Sequence, residues 1–99
     1  MARYQVFRIR DGDGYLLDVQ NDLLDDLNIR AMVPLMLSEA APKPARRLNP
    51  AFEVEGRRHL MVTQYIGAVP VAELGALVAT LRAHDNTITE ALDMLFQGF

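Results

Sequence analysis

Along the first segment Tyr4, Val6 and Arg8 alternate with Gln5, Phe7 and Ile9. Alternation of this kind is the period of a strand, and apolar residues on both sides predict a strand covered on both faces. Asp11-Gly12-Asp13-Gly14 follows, then Tyr15-Leu16-Leu17-Asp18-Val19. Asp-Gly pairs tolerate positive φ, so the two runs read as a hairpin. Gln20 to Asn28 is polar and acidic around Leu23-Leu24 and Leu27. Leucines in such a loop are either tucked under the fold or presented to a partner. Ile29 to Leu37 predicts a strand interrupted by Pro34, which lacks an amide hydrogen and so suggests an edge or a bulge.

Glu39 to Ala45, with Pro42 and Pro44, is the clearest loop. It leads to a second hairpin, Ala51–Val54 and His59–Thr63, turning at Glu55-Gly56. Gly67-Ala68-Val69-Pro70 makes a further break. Val71 to Ala83 has helical propensity, yet Leu77, Ala79 and Leu81 alternate with Val78 and Thr80 and permit a strand. At the end, Ile88, Ala91, Leu92, Leu95, Phe96 and Phe99 fall at i, i+3, i+4, i+7, i+8 and i+11, one stripe of a helix. His84, Asp85 or Asn86 can begin this helix, Gly98 ends it, and Thr87, Glu90, Asp93 and Gln97 line its solvent side.

Ninety-nine residues with 51% apolar composition suit one domain spanning residues 1–99 and a single core. The chain lacks cysteine, consistent with a reducing cytoplasm. The residues before the first strand hold no apolar stretch of signal-peptide length, so no signal peptide is expected, and no run approaches the roughly 18 apolar residues of a membrane span. The net charge of −3 argues against direct nucleic-acid binding, although Lys43, Arg46, Arg47, Arg57 and Arg58 form local basic clusters.

Catalytic parts are sparse. Ser38 is the only serine and has no glycine elbow around it. His59 and His84 have no partner at metal-ligand spacing, and no P-loop or dinucleotide glycine pattern occurs, so neither a cofactor nor a metal is expected. Asp11 to Gly14 resemble the start of a calcium loop, but the remaining ligands and the closing glutamate are missing. Asp25-Asp26 reads as a solvated turn. Met32, Met36, Met61 and Met94 suit gaps in a core or an adaptable interface. A single sheet with one helix leaves apolar area uncovered, which suggests a homodimer.

Four stretches, in order over nearly the whole chain, carry a resemblance: Asp18-Val19-Gln20-Asn21-Asp22-Leu23-Leu24-Asp25, Met32-Val33-Pro34-Leu35, Ala68-Val69-Pro70-Val71 and Leu95-Phe96-Gln97-Gly98-Phe99. Together they resemble the CcdB family of toxins. The resemblance implies a mainly β fold with a C-terminal α-helix. This is an SH3-like barrel of CcdB/MazF type, with an antiparallel sheet, a small second sheet from the middle hairpin, and a last strand near Ala76 to Leu81.

It further implies the toxin of a type II toxin–antitoxin system, a non-enzymatic homodimer that poisons DNA gyrase through its A subunit. The antitoxin's disordered C-terminal tail would neutralise it. The family's target contact is a C-terminal Trp-Gly-Ile triplet, supported by the loop after the second strand. The matching positions are Gln97, Gly98 and Phe99, with Leu23 and Leu24 on the loop, and Asp93 where the pattern has asparagine. Gln97 therefore replaces a large flat ring with an amide. The alternative on the same barrel is a MazF-like endoribonuclease using Arg46, Arg47, Arg57, Arg58 and His59. A third reading is a non-toxic relative that binds only an antitoxin or a different target.

Overall fold

The structure, a computed structural model, describes residues 1–99. Strands β1 (Gln5–Ile9) and β2 (Tyr15–Asp18) form the first hairpin, with Gly14 at φ 100° in its turn. β3 (Ile29–Leu37) lies against β2, pairing Leu17 with Val33 and Asp18 with Met32. The middle hairpin joins β4 (Ala51–Val54) to β5 (Arg57–Met61) through Glu55-Gly56, both at positive φ. β6 (Gly67–Pro70) pairs with the first half of β3, and β7 (Leu74–Thr80) lies beside β1. The order is β4-β5-β3-β2-β1-β7, with β6 on β3, and every pairing is antiparallel. Helix α1 (Asp85–Gln97) closes the chain. The result is a mainly β, curled antiparallel sheet with one C-terminal helix, consistent with an SH3-like barrel. The small second sheet is the middle hairpin, which branches from β3 through Leu35–Met61 and shares that strand with the main sheet.

Registration explains the core. Val6, Leu17 and Val33 sit opposite one another on adjacent strands, all at 0% exposure. Cross-strand β-branched and aliphatic neighbours of this kind are the packing unit of a sheet. Val54, Met61 and Leu35 extend the cluster, and Ile88 and Ala91 cover it from α1. Phe7 and Met32, of opposite parity, are buried too, so β1 and β3 are covered on both faces.

Two local expectations change: that β3 is an edge or bulged, and that Gly67–Pro70, which is the paired strand β6, is a break. The turn and last strand implied by the resemblance are present. β3 is central, neither an edge nor bulged at Pro34. Its pairing with β6 ends at Met32 and its pairing with β5 begins at Leu35. Pro34 falls where one neighbour hands over to the other, so its missing amide leaves no ladder bond unmade. Its carbonyl still accepts from the Val62 amide at 3.0 Å. The segment after Val71 is a short 3-10 turn, Val71–Glu73, and then strand β7. Pairing to β1 overrides the helical propensity of its alanines and leucines. β7 starts two residues before the expected Ala76. No helix is long and apolar enough to cross a membrane.

Candidate functional site

The stripe on α1 begins under cover and ends outside it. Ile88 and Ala91 are buried and Leu92 packs against the core, whereas Phe96 and Phe99 are 69% and 70% exposed. Gly98 adopts φ 79° as the helix cap, and its amide donates to the Met94 carbonyl at 3.1 Å. A residue with a Cβ would be strained by about 1 kcal/mol in that conformation, so the glycine fixes where the last residue points. Asp93 and Gln97 are neighbours one turn apart, with Gln97 Nε2 3.5 Å from Asp93 Oδ1. The tip therefore gathers Asp93, Gln97, Gly98 and Phe99, and adds Phe96.

Leu23 and Leu24 sit in a 3-10 turn, Asp22–Leu24, and are 90% and 49% exposed. The structure leaves Leu23 exposed and Leu24 half-exposed, so neither is fully tucked under the fold. Asn21 Oδ1 accepts from the Leu23 amide at 2.8 Å and caps the turn. Asp22 Oδ1 accepts from the Arg3 amide at 2.7 Å, and Gln20 Nε2 donates to the Leu24 carbonyl at 2.9 Å. Helix α1 packs on the 3-10 turns Thr63–Tyr65 and Arg82–His84.

The arginines of the ribonuclease alternative do not converge. Arg46 and Arg47 are exposed in the long loop, with Arg47 at φ 67°. Arg58 is exposed, and its carbonyl accepts from the Ser38 amide at 3.2 Å. Arg57 and His59 alone reach an open groove of about 710 Å³. Arg57 Nη2 is paired with Glu39 at 2.8 Å. His59 is buried, its Nδ1 2.9 Å from the Arg57 carbonyl and its ring edge-on to Tyr15 at 5.0 Å.

The same groove contains a cluster that sequence reasoning missed. Arg8 Nη2 donates to both oxygens of Glu55, at 2.8 and 2.7 Å, and the Tyr15 hydroxyl also donates to Glu55. The hydrogen bonds from Tyr15 and then Arg8 hold the Glu55 carboxyl below its ordinary range. The bond to Glu55 raises the Tyr15 phenol and the Arg8 guanidinium in turn. Glu55-Gly56 was legible as a turn, but nothing local in sequence points from it to Arg8 or Tyr15. No three His, Asp or Glu side chains come together as metal ligands.

Comparison with known proteins agrees with this architecture. The family model described as CcdB protein matches residues 3–98. Among solved structures, an endoribonuclease in complex with its cognate antitoxin from a Mycobacterial species aligns with a TM-score of 0.78 and 20% identity, over 97% of this chain and 94% of that one. An endoribonuclease from a Mycobacterial species aligns with a TM-score of 0.78 and 21% identity, over 97% and 90%. At such identities the structural likeness establishes the fold. The family match spans nearly the whole sequence, and the chain belongs to the CcdB family.

Proposed function

We propose that this protein is the toxin of a type II toxin–antitoxin system. As a cytoplasmic homodimer it binds the A subunit of DNA gyrase, traps the cleaved complex, and is neutralised by the disordered tail of an antitoxin. The observation that carries the reading is the C-terminal tip. Phe96 and Phe99 stand exposed on a glycine-capped helix, at the end where the resemblance to the CcdB family implies the target contact. Exposed aromatics on a rigid support lose little entropy on docking and supply much of an interface's energy. Phe99 offers a face for a guanidinium or an apolar pocket, while Gln97 supplies an amide that hydrogen-bonds and stacks weakly. The antitoxin reading is supported by the structural neighbour described in complex with its cognate antitoxin. Expression without an antitoxin should arrest growth and leave gyrase–DNA cleavage complexes. Normal growth at confirmed soluble expression would end the toxin reading.

A second reading is an endoribonuclease, and the observation favouring it is the groove with Arg8, Tyr15, Glu55, Arg57 and His59 along its walls. Two structural neighbours are described as endoribonucleases. Against it, Glu55 is held ionised by two donors and is a poor base, and Arg57 is already paired. Incubation of the pure protein with a long RNA separates the readings. Cleavage abolished by Arg57→Ala or His59→Ala would replace the gyrase mechanism.

A further inference from the structure

The Asp22–Leu24 turn buries none of its residues, yet side chains fix it at several points. Ordering a surface segment costs roughly 1–2 kcal/mol of backbone entropy per residue, and here only the covered half of Leu24 offsets that cost. The turn is instead tied to the sheet by Gln20. Its Nε2 donates to the Leu24 carbonyl at 2.9 Å, and its Oε1 accepts from the Ala31 amide at 3.0 Å. One amide thus couples the outgoing end of the turn to β3. Arg30 Nη1 reaches the same Leu24 carbonyl at 3.5 Å from the side, while Arg30 is itself anchored to Asp18.

From this geometry we propose that Gln20 is a positioning residue, which holds Leu23 and Leu24 in the form that meets the target. It rests on the gyrase reading above for the identity of that target. Gln20 touches no partner. It removes in advance the entropy the turn would otherwise lose on binding.

Gln20→Ala removes both bonds, whereas Gln20→Glu keeps the acceptor for Ala31 and loses the donor to Leu24. Amide hydrogen exchange on the full-length protein reads the turn directly. In both variants the Leu24 and Asp25 amides, which donate within the turn, should exchange faster while β1 to β3 stay protected. Unchanged exchange in the turn would overturn the proposal whatever gyrase does. Cleavage-complex formation with purified gyrase reads the consequence. Gln20→Ala should raise the half-effective concentration about fivefold, the worth of one net hydrogen bond. The same substitution should add nothing in a Leu23→Ala/Leu24→Ala background. An equal penalty in both backgrounds would overturn the proposal, because Gln20 would then act on the whole fold. A wild-type protein that traps no gyrase would defeat the gyrase reading, and exchange alone would then decide whether Gln20 fixes the turn.

Discussion

Arg30 and Asp18 form a buried ion pair: Arg30 Nη2 lies 2.6 Å and Nε 3.0 Å from Asp18 Oδ2, and neither side chain reaches solvent. Asp18 pairs with Met32 in the β2–β3 ladder, and Arg30 lies two residues from Met32 on the same face. Burial pushes the Asp18 carboxyl up, opposed by the Gln20 amide and by Arg30. Removing one partner leaves an uncompensated charge in the interior. Arg30→Met should therefore cost about 3 kcal/mol or more at neutral pH. The double variant Asp18→Leu/Arg30→Met should regain most of that loss. Urea midpoints of the single and double variants decide the matter, and equal midpoints would mean that the pair matters for more than its charge.

Glu55 sits in the turn of the middle hairpin at φ 50°, where donors from Arg8 and Tyr15 stabilise its ionised form. Its carboxyl binds protons less readily folded than unfolded, so its contribution is complete above the ordinary value of 4.5. The contribution is lost as pH falls through the lower folded value. Glu55→Gln should flatten this part of the acid limb in a series of melts between neutral pH and pH 3. Because the cluster is open to water, the effect should also shrink in high salt. A salt-independent acid limb that survives the substitution would place its origin elsewhere.

Gly75 lies in β7 where the pairing with β1 shifts register, and a Cβ placed there would meet the Arg8 carbonyl oxygen at 3.0 Å and the Arg8 Cβ at 3.3 Å. The close atom is backbone and cannot rotate away. Gly75→Ala should destabilise the fold by about 1–3 kcal/mol through overpacking. Gly56→Ala meets no neighbour and is strained only by its φ of 82°. Comparing the two by thermal unfolding separates steric contact from backbone strain, and a larger loss at Gly56 would contradict the packing argument.

What could be read from the sequence was what is local. The α1 stripe, its glycine cap and both hairpin turns depend on neighbours within a few residues, and they appear where the pattern puts them. Strand β7 was not readable from propensity, because its pairing with β1 reaches back some seventy positions, from Thr80 to Gln5. Pro34 misled for the same reason: its tolerance depends on two different strands meeting beside it. The site shows the same division. The exposed tip and the Leu23–Leu24 turn were visible as patterns, whereas Arg30–Asp18 and Arg8–Glu55–Tyr15 join residues whose only relation is the sheet register.

The tip separates stability from function. Phe99 and Gln97 are exposed, and Gln97 makes only a marginal contact with Asp93. Phe99→Ala and Gln97→Trp should therefore leave stability within about 0.5 kcal/mol of the parent. Their effects on poisoning should have opposite signs. Phe99→Ala removes an aromatic face from the proposed contact and should weaken cleavage-complex formation. Gln97→Trp places a large ring where the family has one, one helical turn beyond Asp93. Stacking on a desolvated guanidinium is worth up to about 2 kcal/mol, so poisoning should strengthen by up to roughly thirtyfold. The measurement is the toxin concentration that gives half-maximal linear DNA with purified gyrase, beside a thermal melt of each variant. If both variants melt like the parent and poison like it, Gln97 and Phe99 are not the contact. The search for the target surface would then move to Phe96 and the Leu23–Leu24 turn.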